Sequence, residues 1–326
     1  MAEFGGAFMK PFSSLTRAID FYLDTRRQWG FALKTEERML RQLAAYADEI
    51  HHRGPLTTEL VLAWAVLPAK ASTLWWATRL GVAGRFARFI APFDPRTQVP
   101  PSGIFGLEGR RRSVHLYTAQ QIAQIHDAAA TLEPVESLRA ATFQTFWALL
   151  ACTGLRVGEA LRLQDADLDP QASTLTIRRS KFGRSRCLPL HPSAVAALRA
   201  YQEQRQQYFP ALSAPRFFLT LSGKPLSYSQ AEKTFRRLRR QLGWQFSPAP
   251  RLYDLRHTFT TERLLGWYRQ GPEPVDQHIY TLATYLGHRH IRHTYWYLSA
   301  VPELLALANA RVAAAWDVAQ GGAHVS

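Results

Sequence analysis

Four short stretches of this chain combine residue types that can hold an anion and break a bond. The first, Thr153-Gly154-Leu155-Arg156-Val157-Gly158-Glu159, sets two glycines around one arginine. Glycine accepts the tight backbone that aims a neighbouring side chain out of a turn, and helix-start N–H groups favour anions. Arg156 therefore reads either as an anion-holding group at a helix start or as the corner of an ordinary helix-turn-helix. The second is Lys181, in the polar turn Ser180 to Ser185 between two β-forming runs. A lysine there faces solvent or reaches a substrate. The third is Leu252-Tyr253-Asp254-Leu255-Arg256-His257. On a helix, positions 253, 256 and 257 share one face, with Leu252, Leu255 and Phe259 turned to the core. The alternative is a surface helix with a buried, hydrogen-bonded His257. The fourth runs from Leu286 to Tyr297, where Gly287 can end a helix in a left-handed cap with His288 just beyond it. The histidines at 288, 290 and 293 raise a metal site, but no carboxylate or cysteine lies near in sequence to complete a ligand set.

The elements that must position these groups follow from composition and periodicity. A chain of 326 residues is about right for two compact domains. Its net charge of +15 comes mostly from arginine, whose planar fork suits phosphate, and points to a polyanionic partner. An anionic membrane surface is the competing partner, but no strongly amphipathic basic helix stands out. Met1 to Pro11 does not read as a secretory signal, and no run approaches the ~18 apolar residues of a membrane span. Two cysteines, Cys152 and Cys187, suggest no disulfide framework and fit a reducing, cytoplasmic setting. Residues 1–92 read as four or so helices, the first capped by Ser13-Ser14 and the second opened by Thr35-Glu36-Glu37. Residues 93–115, rich in proline and glycine and ending in Arg110-Arg111-Arg112, read as a linker. Residues 116–326 read as helices around a small antiparallel hairpin, Thr174 to Ile177 and Arg186 to Leu190.

Taken together and in order, the four clusters resemble the catalytic domain of tyrosine recombinases, the phage integrase family. That family's pattern is an arginine in T-G-x-R-x-x-E, a hairpin lysine, an H-x-x-R pair, a histidine or tryptophan after L-G, and a tyrosine nine residues on. Arg156, Lys181, Arg256, His288 and Tyr297 fall at those positions, and Thr294 completes T-x-x-Y. The chain departs at Tyr253, where many members have histidine; a phenol still donates to a phosphate oxygen but is no cation at neutral pH. The resemblance covers about Leu116 onward, and the N-terminal helices look like the family's core-binding domain.

The resemblance implies a mainly α fold with a small antiparallel β-sheet: an all-α core-binding, DNA-binding domain followed by an α+β catalytic domain. It implies a site-specific integrase or transposase that cleaves and rejoins double-stranded DNA through a 3′-phosphotyrosyl bond to Tyr297. Arg156 and Arg256 would clamp the non-bridging oxygens, His288 and Tyr253 would donate to them, and Lys181 would protonate the leaving 5′-oxygen. No cofactor or metal is implied. The sequence holds no G-x-x-x-x-G-K-[ST] loop, and Asp165, Asp167 and Asp169 read as turn and strand-edge residues, since no calcium-loop glycine and glutamate follow. Glu159 reads as a support for Arg156. Expected partners are DNA, further copies of the chain in a tetramer, and accessory recombinases. The apolar positions Leu304, Leu305, Leu307 and Ala308 would pack on their own domain or dock on a neighbouring protomer. The alternatives are a type IB topoisomerase-like relaxase and a non-catalytic DNA-binding protein of the same fold.

Overall fold

The computed structural model describes residues 12–106, 114–135, 137–178, 185–210, 216–270, 275–288 and 290–321. The chain divides into two compact units, Met1–Arg112 and Ser113–Ser326. In the first, four helices are described: α1 (Leu15–Gln28), α2 (Lys34–Glu49), α3 (Thr58–Val66) and α4 (Thr73–Ile90). Ser14, Thr57 and Ser72 sit at the starts of α1, α3 and α4, their hydroxyls accepting from backbone N–H groups that the helix leaves unpaired. Ile19, Leu23, Leu40, Leu43, Val61, Trp64 and Phe86 fill the core between these helices. The proline-rich stretch read as linker belongs in part to this unit. Gln98 N–H donates to the Leu56 carbonyl at 2.8 Å, Asp94 and Thr97 are buried, and Phe105 meets Trp76 edge-on. Proline stiffens this segment without freeing it, because its side chains and backbone groups have partners on the helices.

The second unit contains α5 (Ala119–Ala130), α6 (Leu138–Thr153), α7 (Val157–Ala160), α8 (Pro192–Tyr208), α9 (Tyr228–Gln241), α10 (Asp254–Arg269), α11 (Val275–Leu286), α12 (Arg292–Ala300) and α13 (Pro302–Gly321). Between α7 and α8 lie β1 (Leu168–Asp169), β2 (Thr174–Ile177) and β3 (Arg186–Pro189), antiparallel in that order. Alternation sends Leu168, Leu175, Ile177 and Leu188 inward to the core built on Phe146, Trp147, Phe217, Phe218 and Phe235. α6 runs against α5, α8 and α10 and is apolar on most sides, as a central helix must be. The three aspartates serve the local fold. Asp165 pairs with Arg205, Asp167 pairs with Arg178, and Asp169 accepts from the Gln171 and Ala172 N–H groups.

One expectation from the sequence needs correction. α9 is a strongly amphipathic basic helix: it buries Ala231, Phe235 and Leu238 and exposes Lys233, Arg236, Arg237 and Arg240. Its apolar stripe is narrow and Thr234 stands in it, so the pattern is faint beside the run of arginines. None of the described helices is long and apolar enough to cross a membrane.

α6 ends at Gly154, in the left-handed region at φ +61°, and a Cβ there would stand 2.5 Å from Phe259 Cδ1 and 3.3 Å from Leu286 Cδ2. Gly154→Ala thus meets a left-handed penalty of about 1–2 kcal/mol and an overlap of about 1–3 kcal/mol. It is expected to lower the thermal midpoint by several degrees. Gly266→Ala, inside α10 with nothing within 4 Å of the new methyl, is the control and should be neutral or slightly stabilising. Calorimetry of both variants checks this; equal midpoints would show that the turn relaxes freely.

Candidate active site

The site is built around the C-terminus of α11. The last carbonyls of a helix have no partner in the helix and carry the negative end of its dipole, so cations collect there. Three arginines from three separate elements do so here. Arg186 Nε donates to the Tyr285 carbonyl at 2.7 Å, Arg256 Nη2 to Leu286 at 2.8 Å, and Arg156 Nη2 to Gly287 at 3.0 Å. Gly287, at φ +66°, closes the helix. A Cβ on it would lie 2.9 Å from Arg186 Nη1, so the close approach of the guanidinium requires glycine.

Like charges crowd at this point, and Glu159 separates them. Its carboxylate is buried and accepts from Arg156 Nη1 at 2.7 Å, Arg186 Nη2 at 2.8 Å and Arg186 Nη1 at 3.2 Å. It also accepts from the Arg156 backbone N–H at 3.1 Å, which opens the short helix α7. Burial alone would raise the pKa of Glu159, but the hydrogen bonds and charges of Arg186 and Arg156 outweigh it and bring it down to about 2. Arg256 is 1% exposed. Its Nη1 donates to the Gly154 carbonyl at 2.8 Å, while its Nε has no partner among the described residues. Burial and then the charge of Arg156 lower its pKa to about 10, so it stays a cation at neutral pH. Three guanidiniums against one carboxylate leave two positive charges in this cluster. A phosphodiester anion suits such a site, and a neutral ligand would leave that charge unanswered.

His288 follows Gly287, and its Nδ1 lies 2.7 Å from Thr294 Oγ1. Burial first, then the neighbouring Arg256 and Arg156, lower its pKa to about 3, so the imidazole is neutral beside the cations. When Thr294 donates to Nδ1, Nε2 carries the proton and can donate to an oxyanion. Tyr297 lies on α12. Thr294 and Tyr297, three residues apart, face the core at 0% and 3% exposure, so the T-x-x-Y spacing is the buried stripe of a helix. Tyr297 Oη is 2.8 Å from His257 Nδ1, and both Tyr297 and Tyr253 lie within electrostatic reach of Arg256.

The structure thus brings Arg156, Arg256, His288 and Tyr297 together. Lys181 lies outside the described residues. The expected shared face of Tyr253, Arg256 and His257 holds for Tyr253 and His257, whose rings meet, and is corrected for Arg256. α10 begins at Asp254, Tyr253 stands before it at 43% exposure, and Arg256 points into the interior. Asp254 drives this start: its carboxylate accepts from the Arg251 backbone and side chain and fixes the first turn. Tyr253 meets His257 edge-on, ring centres 5.0 Å apart. Arg186 is a member of the site that the sequence pattern did not single out; its signal is a buried Glu159 with oxygens for two cations. His257, which the sequence set on one face with Tyr253 and Arg256, meets Tyr297.

Residues 116–303 match the phage integrase family. The chain belongs to that family. The match spans Arg156, Arg256, His288 and Tyr297. Over nearly its whole length this phage integrase family member is also similar to the putative integrase/recombinase y4rB of Sinorhizobium fredii, at 40% identity over 313 residues, 94% of this chain and 99% of the relative. The tyrosine recombinase XerC of Chlamydia caviae is 27% identical over 146 residues, 45% of this chain and 43% of the relative. The fold is shared with the Tn1549 transposon integrase in complex with circular intermediate DNA, at TM-score 0.64 and 16% identity over 88% of this chain and 95% of that one. It is shared as well with a lambda integrase dimer bound to a core site, at TM-score 0.57 and 18% identity over 87% and 77% of the two chains.

The electrostatics of this cluster predict an acid-sensitive fold. Glu159 titrates near 2 when folded against 4.5 ordinarily, so its stabilisation is present above pH 4.5 and lost as pH falls toward 2. His288 titrates near 3 against 6.5, so the unfolded chain takes up a proton that the folded chain refuses, and stability is lost as pH falls from 6.5 to 3. Thermal midpoints should fall continuously below about pH 6.5. His288→Gln should flatten the part between pH 6.5 and 4.5 and leave the steeper acid limb. Superimposable curves for the two proteins would contradict this.

Proposed function

We propose that this chain is a site-specific DNA recombinase of the integrase type, cutting and rejoining strands through a 3′-phosphotyrosyl bond to Tyr297. The observation that carries the reading is the convergence of Arg156 and Arg256 on one helix end, with Tyr297 beside Arg256. In this reading the two guanidiniums bind the non-bridging oxygens of the scissile phosphate and neutralise charge as phosphorus becomes five-coordinate. The Nε of Arg256, without a partner among the described residues, gives that arginine a donor to spare. Neutral His288 adds a hydrogen bond without adding charge, and Tyr253 can add another. Lys181, which lies between β2 and β3 in the sequence, protonates the leaving 5′-oxygen. Rejoining reverses these steps, with a 5′-hydroxyl from a partner strand as the attacking group, so bond energy is kept in the phosphotyrosine and no nucleotide is consumed.

The net charge of +15 and the exposed basic face of α9 support double-stranded DNA as partner. The relatives' names, integrase/recombinase and transposon integrase, support an element-mobilising role acting at the nucleoid. Strand exchange between two duplexes requires two pairs of protomers, hence a tetramer, with accessory recombinases as further partners. Leu304 packs within its own unit on α13, whereas Leu305, Val312 and Trp316 share an exposed face of the same helix, which supports docking on a neighbouring protomer.

The test is a trapping experiment. Fragmented DNA from a host carrying the gene is incubated with the pure chain, and DNA linked covalently to protein is recovered and sequenced. A recurrent site attached through a 3′-phosphate supports the reading, and recombinant joints from two such sites identify a recombinase. Relaxed plasmid without joints would favour the topoisomerase-like reading, and DNA binding with no covalent product the accessory one.

A further inference from the structure

We propose that His257 is the general base of the cleavage step, taking the phenolic proton of Tyr297 at its Nδ1. This rests on the reading of Tyr297 as the nucleophile. A phenol titrates near 10 and attacks phosphorus poorly until its proton has somewhere to go. The groups around Tyr297 differ sharply in their fitness to receive it. Arg156, Arg186 and Arg256 are cations. Glu159 accepts from two guanidiniums and one backbone N–H, leaving a carboxylate too stabilised to compete for a proton. His288 is engaged with Thr294 and held neutral by burial and then by Arg256 and Arg156. Tyr253 is itself a phenol. His257 is an imidazole 2.8 Å from Tyr297 Oη, within the range of a hydrogen bond through which a proton can pass.

Its surroundings hold the ring in place. The imidazole lies among Tyr253, Trp296 and Tyr297, at centre-to-centre distances of 5.0, 5.6 and 5.5 Å. Tyr253 comes from the start of α10 and the other two from α12, so the ring is gripped from two helices. His257 is half-buried, so it can exchange the proton it has taken. In cleavage the Oη–H proton moves to Nδ1, the Oη–phosphorus bond forms, and the phosphorus–5′-oxygen bond breaks with its electron pair on oxygen. That oxygen takes a proton from the acid on the other side of the phosphate. In rejoining, the incoming 5′-hydroxyl gives up its proton there, and protonated His257 returns its own to the departing phenolate.

Two nicked duplexes built on the site trapped by the wild-type chain test the proposal. One carries the natural scissile phosphate and the other a 5′-bridging sulfur, which leaves as a thiolate without being protonated. His257→Ala is expected to slow adduct formation by about 10²–10⁴-fold on both, and added imidazole to restore part of the rate. His257→Asn, which keeps a hydrogen-bonding atom near Nδ1 but takes no proton, should remain slow while binding the duplex normally. Recovery of His257→Ala on the sulfur substrate would make His257 an acid for the leaving group and overturn the proposal. Wild-type rates in His257→Asn would reduce it to a positioning residue. A wild type that forms no adduct overturns the Tyr297 reading and this proposal together, whereas a wild type that cleaves beside an equally fast His257→Asn overturns this proposal alone. Independently, nitrogen-15 imidazole spectra of the full chain should show His257 with its proton on Nε2, and a shift of the Nδ1 resonance in Tyr297→Phe. A proton on Nδ1 in the neutral ring would contradict the assignment.

Discussion

Tyr297→Phe is expected to yield no covalent adduct with any DNA, while binding that DNA as the wild type does and keeping its fold. The substitution removes one oxygen, and with it the hydrogen bond to His257. Such a bond contributes about 0.5–1.5 kcal/mol, a shift of a few degrees in the thermal midpoint of a unit this size. The ring itself, 3% exposed among Phe259, Leu264, Leu286 and Leu304, still fills its place. Chemistry has no such reserve, because a phenyl carbon cannot attack phosphorus. Loss should therefore be complete in a denaturing gel of the nicked-duplex reaction, with filter binding unchanged. Residual adduct would point to a second nucleophile. Tyr295, two residues away at 39% exposure, and Tyr253 are the ones to exchange next.

Glu159→Ala should be the most damaging change at a residue that never meets DNA in the proposed reading. It leaves Arg156 and Arg186 side by side with no counter-charge, their side chains only 22% and 11% exposed. Removing one partner of a buried ion pair costs about 3–5 kcal/mol, which lowers the midpoint by roughly 6–20 °C in a domain of this length. It also frees the backbone N–H that opens α7 and unpins Arg156, so cleavage should fall even at temperatures where the variant stays folded. Calorimetry and adduct rates below the midpoint check the two parts separately. Because Arg186 shares the same carboxylate, Glu159→Ala combined with Arg186→Met should lose less than the sum of the single changes, by about 0.5–3 kcal/mol. Additive losses would mean that the two side chains act independently, contrary to the four donor contacts converging on Glu159.

Much of this molecule is legible in one dimension. Helices with a cap and a sustained apolar stripe, such as α1 and α5, are written locally, because cap and period act within a few residues of each other. β2 and β3 follow from β-branched and apolar residues flanking a polar turn. α12 is less legible, since its Thr294 and Tyr297 stripe is masked by a histidine- and aromatic-rich run that has no clear start signal. β1, only two residues long, exists because Leu168 and Asp169 pair with Leu175 and Thr174, and nothing local requires it. The proline-rich stretch after α4 misleads for a related reason: proline reports stiffness, while the partners that hold Gln98 and Phe105 come from elsewhere in the unit.

The sequence by itself determined the family. Arginine, histidine and tyrosine at fixed intervals, with the glycines that place them, survive as a pattern because each motif sits within one turn or one helix. It also determined a basic chain of two units built mainly of helices. Only the tertiary structure decided how charge is balanced. Glu159 and Arg186 are 27 positions apart, Arg156 and Gly287 are 131, and His257 and Tyr297 are 40. No local rule links such residues. They meet because α11 ends where α7, β3 and α10 present their side chains, and an unfilled helix end attracts whatever cations the fold brings within reach. The same packing buried Arg256 and put His257 against Tyr297.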